Sequence, residues 1–156
     1  MGVEYMDVLI NDAALLIAKI FIVLIFPFSC LDKVINWQSA LKQANSSFLP
    51  GGPVLLVLAM IVEAVTPICI VFNWNAGWAA FVLAGYCAIT AILYHNFWSY
   101  PRFWAAGTEG NPHVWDFFKN FAIVGGCIFI MLGSPALAEV EQLVEPASVP
   151  AQEKAK

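Results

Sequence analysis

The chain is poor in charge. Seven Lys and Arg and eleven Asp and Glu make up 12% of its 156 residues, where a soluble domain carries about 25%. That shortage excludes an ordinary soluble globular protein. With 61% hydrophobic residues and a mean hydropathy of +0.77, the chain falls in the membrane class. The seven basic residues form no cluster, which excludes a nucleic-acid surface. The net charge of −4 says little about partners, because Glu139, Glu141, Glu145 and Glu153 all sit near the C-terminus.

Chemistry-bearing residues are also scarce. There are two histidines, and only His95 lies on an apolar run, so a bis-histidine haem is excluded. His113 sits in a connection, and its spacing to carboxylates fits no metal motif. Cys30, Cys69, Cys87 and Cys127 fall one to each apolar run without C-x-x-C spacing, so they read as small packing residues. No serine nucleophile with a base and an orienting group appears, and no catalytic residue is assigned. The glycines of "VGG" at 124–126 suit close helix approach rather than phosphate binding. Internal repeats are absent, and polar residues are too sparse along the spans for a continuous channel.

What the chain does have is long apolar runs. Four are expected to cross a bilayer, at about 13–31, 53–72, 77–98 and 117–133. The N-terminal run has no basic n-region or small-residue cleavage site, and Glu4, Asp7 and Asp12 precede its core, so it reads as a retained helix. Pro27 and Phe28 likewise argue against a lipidated Cys30. Only "NWNA" separates the second and third runs, which must form a tight antiparallel hairpin. The fold expected is an all-α integral membrane antiparallel four-helix bundle over residues 1–134, with a polar tail over 135–156. A helical turn or two is expected within that tail, around Leu137 to Val144.

In the connection after the first run, Trp37, Leu41 and Ala44 recur at helical spacing and suggest a short interfacial helix. All six tryptophans lie at or near span ends, where such rings anchor at the headgroups. Lys33, Lys42, Arg102 and Lys119 gather on one side, so the positive-inside rule puts that side in the cytoplasm and both termini outside.

Ionisable groups at bilayer depth cost at least about 2.5–3.5 kcal/mol, so they turn inward and find partners. Glu63 lies ten residues into the second run, roughly 15 Å deep and near the midplane. By depth, Lys19 is its expected partner in an intramembrane ion pair. His95, near the end of the third run, and Lys119, at the start of the fourth, come to the same level on one face. A polar pocket is expected there, with Asp32, Lys33, Asn96, Asp116 and Asn120 nearby. Each group alone would read as an interfacial histidine or a snorkelling lysine. Tyr94, Phe97, Trp98 and Phe118 read first as packing and anchoring residues.

These residues carry a resemblance. The chain is similar to the DoxX family of small four-helix membrane proteins. The matching features are Lys19 in the first helix, Lys33 after it, Glu63 in the second, "HNFW" at His95–Trp98, and "FFKNFAIVGG" with Lys119 and Asn120. The similarity covers about residues 13–134. Where such proteins often have a glycine three residues before the lysine, this chain has Cys30, with Pro27 just ahead, and its acidic tail lies outside the pattern.

The resemblance implies a helical bundle in a bacterial inner membrane and an association with redox chemistry, as in the membrane subunit of thiosulfate:quinone oxidoreductase. Two functions are therefore expected. The first is a subunit of a redox complex that lines a quinone or small-anion pocket with His95, Trp98, Lys119 and Asn120. It would bind no cofactor of its own beyond a possible quinone, and would pair with other membrane or redox subunits. The second is a non-catalytic assembly subunit of a larger membrane complex. A solute carrier is weaker, since four short helices leave little room for a midplane site.

Overall fold

Six helices build the chain in the computed structural model, which describes residues 2–133 and side chains from Asp12 onward. They are α1 (Gly2–Val23), α2 (Ile25–Ile35), α3 (Trp37–Ala44), α4 (Gly52–Val71), α5 (Ala76–Tyr94) and α6 (Gly110–Leu132), with a 3-10 turn at Phe97–Ser99. No strand occurs among the described residues. Among the described residues, four stretches are long and apolar enough to cross a membrane: Asp12–Ile35, Gly52–Val71, Ala76–Ser99 and Gly110–Leu132. The fold is an all-α, membrane-spanning bundle. The tail expected at 135–156 lies outside the described residues.

The first crossing is two helices rather than one. Pro27 has no N–H to give the Val23 carbonyl, and its ring crowds that oxygen. The regular hydrogen-bonding breaks there, between Val23 and Ile25, although Leu24 keeps helical angles (φ −54°, ψ −36°). The consequence reaches the tertiary level: α1 packs on α4 and α6, whereas α2 packs on α4 and α3 without extensive contact with α6. The short helix α3 is where the Trp37, Leu41 and Ala44 spacing placed it, and it packs beneath α4.

The α4–α5 hairpin turns on two asparagines. Asn73 (φ 56°) and Asn75 (φ 51°) take left-handed backbone, which Asn tolerates better than most residues. Between them, the Trp74 N–H donates to the Cys69 carbonyl at 2.8 Å. From this turn α5 returns with Ala76, Ala80, Leu83, Cys87 and Ala91 fully or almost fully buried, at three- and four-residue steps. Small side chains on one stripe let helix backbones approach, and α5 packs most extensively on α6. Gly126 of α6 serves the same end against α1. A Cβ there would meet Ile22 Cδ1 at 2.9 Å.

Large side chains such as Phe21, Phe72 and Phe129 point outward, more than 70% exposed, as a lipid-facing surface requires. Trp74, Trp78, Trp98, Trp104 and Trp115 are exposed close to the helix ends.

Two boundaries differ from expectation. Helix α5 stops at Tyr94, so His95 is the residue just past the helix (φ −123°, ψ 38°) rather than part of its last turn. Helix α6 begins at Gly110, and Lys119 lies nine residues beyond that start. Asn111 and Pro112 read as turn residues, yet in the first turn of a helix a proline loses nothing by lacking its N–H.

Candidate functional site: a polar cavity inside the bundle

Glu63 is the deepest charged group. It sits in the middle of α4 and is 2% exposed. Lys33 Nζ donates to both of its oxygens at 2.9 Å. Tyr86 Oη donates to Oε1 at 2.6 Å, and Ser29 Oγ reaches the same atom at 3.1 Å. Lys33 also donates to Ser29 Oγ at 2.6 Å, so that hydroxyl accepts from the ammonium while donating to the carboxylate. Among the described residues, no buried side-chain nitrogen or oxygen lacks a partner. The backbone beside Glu63 is irregular. Pro67 cannot supply an N–H to the Glu63 carbonyl, and Thr66 Oγ1 bonds back to the Val62 carbonyl at 2.8 Å.

The expected Lys19–Glu63 pair does not form. Lys19 Nζ donates instead to Asn73 Oδ1 at 3.1 Å, in the α4–α5 turn. Depth alone had favoured Lys19, but side chains on a helix lean toward its N-terminus. Helix α1 starts on the far face, so Lys19 leans away from Glu63. Lys33, near the C-terminal end of α2, leans inward from the opposite face. Glu63 leans toward the start of α4, which lies on the same face as Lys33, so the two heads converge.

A second cluster forms where α5 hands over to α6. His95 Nδ1 lies 3.4 Å from His113 Nδ1 and 4.0 Å from Asp116 Oδ2. Only one of the two facing nitrogens can carry the shared proton, because two N–H groups would repel. Tyr100 stacks on the His113 ring with centroids 4.9 Å apart. Lys119 Nζ donates to Asp116 Oδ1 at 3.1 Å from an exposed position, and Asn120 Nδ2 donates to the Asp116 carbonyl at 2.9 Å.

One cavity joins the two clusters. It holds about 510 Å³ and runs from Ser29, Lys33, Glu63 and Tyr86 at its floor to His95, Asp116, Lys119 and Asn120 at its rim. Phe26, Leu56, Ala59, Val62 and Leu93 supply apolar walls. The volume lies within the ~300–1,000 Å³ range of small-molecule sites.

Three of the four expected pocket residues, His95, Lys119 and Asn120, therefore line one cavity. Trp98 does not. The 3-10 turn after His95 carries it away from the cavity and onto Phe97 and Phe117, with centroids 5.2 and 5.7 Å away. Asn96 is likewise off the cavity, with its amide donating to Ser99 Oγ at 3.1 Å. Sequence reasoning missed Ser29, Tyr86 and the contact of His113 with His95, and it gave Lys33 only a place at the face. The i, i+4 spacing of Ser29 and Lys33 was the available signal, together with a tyrosine hydroxyl midway along the third span.

Comparison with known proteins fits this architecture. The DoxX family model matches residues 14–96, more than half of the chain, and this segment contains Ser29, Lys33, Glu63, Tyr86 and His95. Two curated proteins of Escherichia coli K12 are similar. Inner membrane protein YphA is 24% identical over 128 residues, covering 82% of this chain and 88% of its own. Inner membrane protein YqjF is 22% identical over 135 residues, covering 86% and 95%. No solved structure matches significantly. With four apolar crossings and inner-membrane relatives along most of its length, this multi-pass inner-membrane protein belongs to the DoxX family.

Proposed function

We propose that the protein is a membrane subunit of a redox complex, and that its cavity receives the polar head of a quinone or a small anion. The observation that carries this reading is the 510 Å³ cavity itself, which links a buried ion pair to an imidazole–carboxylate pair inside an apolar bundle. At the rim, His95 is placed to exchange a proton with a bound head, and Asp116 offsets the charge that the imidazole gains. The electron carrier belongs to the partner, which docks on the face bearing Lys42, Arg102 and Lys119. The distribution of basic residues supports a cytoplasmic position for that face.

Purification of the full chain in mild detergent, followed by mass spectrometry, tests the reading. A quinone-linked oxidoreductase is expected to copurify. His95→Ala is expected to lower quinone-linked turnover of that complex while its assembly persists. Unchanged turnover removes the histidine from the mechanism, and the absence of any redox partner removes the reading.

The alternative, an assembly subunit without chemistry, draws on a different observation. The Glu63 network is satisfied within the chain by three donors, as a purely structural lock would be. Under it, loss of the protein lowers assembly of its complex, and His95→Ala acts only through the amount of complex formed.

A further inference from the structure

We infer that the cavity is filled sideways from the bilayer, through a slot between α2 and α6, by an uncharged amphiphile whose polar head seats on the Ser29–Lys33–Glu63–Tyr86 floor. This rests on the pocket reading above and chooses between its two ligand classes.

The slot follows from the packing. Ile22 of α1 touches Gly126 of α6 so closely that a Cβ would clash. Past that contact, Ile25, Ser29 and Asp32 continue the Ile22 stripe at three- and four-residue steps. On α6, Ile123, Asn120 and Asp116 continue from Gly126 in the same way. All six line the cavity, and α2 makes no extensive contact with α6. The seam is closed where Ile22 of α1 meets Gly126 of α6, and it is not held by extensive packing past that point. Ile25 lines the cavity and is nevertheless 56% exposed, so the wall is open at that point. In a bilayer, what lies outside Ile25 is lipid.

The charges argue against an anion. The lining holds two lysines against three carboxylates, Asp32, Glu63 and Asp116, so its net charge is −1 with His95 neutral. Both lysines are already paired, Lys33 with Glu63 and Lys119 with Asp116. An anion would have to displace a carboxylate from its lysine. An uncharged hydroxyl need displace nothing, because Glu63 Oε2 holds only the Lys33 bond and has a lone pair free. A carbonyl head accepts from Lys33, Ser29 or Tyr86 when one of these turns to it.

The size completes the description. A cavity of 510 Å³ holds a ring-sized head and a short length of chain. A long tail leaves through the slot, where Ile25 and Ile123 supply apolar edges.

Photolabelling tests the inference. The full chain in nanodiscs of phosphatidylethanolamine and phosphatidylglycerol is exposed to an azido-substituted decylbenzoquinone, crosslinked residues are mapped by mass spectrometry, and radiolabelled sulfate binding is measured in parallel. Labels are expected on α2 near Ile25 and Ser29 and on α6 near Ile123, competed by unlabelled decylbenzoquinone but not by sulfate. Ile123→Trp narrows the slot without touching the polar floor, and is expected to reduce labelling about tenfold or more. Tyr86→Phe removes one floor donor and is expected to reduce it about tenfold. Ile128→Trp, exposed on α6 and outside the cavity lining, is expected to label like the unmodified chain. Should Ile123→Trp fail to fold, the position of the labels on the unmodified chain decides.

Labels confined to the rim around His95 overturn the floor seat and leave the quinone reading standing. Sulfate binding without quinone labelling overturns the uncharged occupant and leaves the pocket standing. Neither labelling nor sulfate binding overturns this inference and the pocket reading together.

Discussion

The floor and the rim of the cavity contain the same kinds of groups in opposite surroundings. At the floor, Lys33 and Glu63 are 19% and 3% exposed and share their charges with a serine and a tyrosine. At the rim, Lys119 and Asp116 are 70% and 40% exposed and depend mainly on each other. Water screens the rim pair, so its contribution falls in the ~0–1 kcal/mol range of surface ion pairs. The floor pair has no such relief. Removing one partner leaves a charge in a low-dielectric interior, which costs about 3–5 kcal/mol. Charge at the floor is an element of the fold, whereas charge at the rim is open to solvent.

Five substitutions break or sharpen that contrast. The largest effect is expected from Glu63→Leu, which strands Lys33 and should lower stability by about 3–5 kcal/mol in denaturant titrations of the micellar protein. Adding Lys33→Met should restore most of the loss, because a buried apolar pair replaces a buried ionic one at little cost. A double variant as unstable as the single one would show that the site needs charge for another reason. Tyr86→Phe comes next, since a hydrogen bond to a charged group is worth about 1.5–3 kcal/mol. The loss should shrink when Glu63 is already leucine, which a double-mutant cycle reads directly.

Gly126→Leu is expected to cost about 1–3 kcal/mol by overpacking against Ile22. Crosslinking yield between cysteines introduced at Ile22 and Ile123 should fall as α1 is pushed from α6, and an unchanged yield would contradict the close contact. The smallest effect is expected from Lys119→Ala, within about 1 kcal/mol and diminishing as salt is raised. A loss comparable with that of Glu63→Leu would erase the distinction between rim and floor.

The four crossings were legible because hydropathy over some 20 residues is a strong signal that packing does not override. The short helix α3 was legible for a similar reason, from the spacing of Trp37, Leu41 and Ala44. The pairing of Glu63 was not. Residue counting fixes depth along an axis but not the direction in which a side chain leaves it, and that direction sends Lys19 to Asn73 and Lys33 to Glu63. The contact of His113 with His95 was missed because "GNPHVWD" looks like a loop, although Pro112 is tolerated in the first turn of α6. Once those residues are helical, His113 and Asp116 lie three apart on one face and meet His95 together. Trp98 went astray through the 3-10 turn, which no pattern in "HNFWSYP" announces.

Pro27 touches neither the floor nor the rim, yet it determines that there is an interior to fill. One missing amide hydrogen interrupts the first rod at mid-depth, leaving its lower half packed on the last rod and its upper half without extensive contact with it. The width of the chamber thus depends on a position outside its lining. An ordinary helix former at that position would let the two rods zip together and close the space from the side.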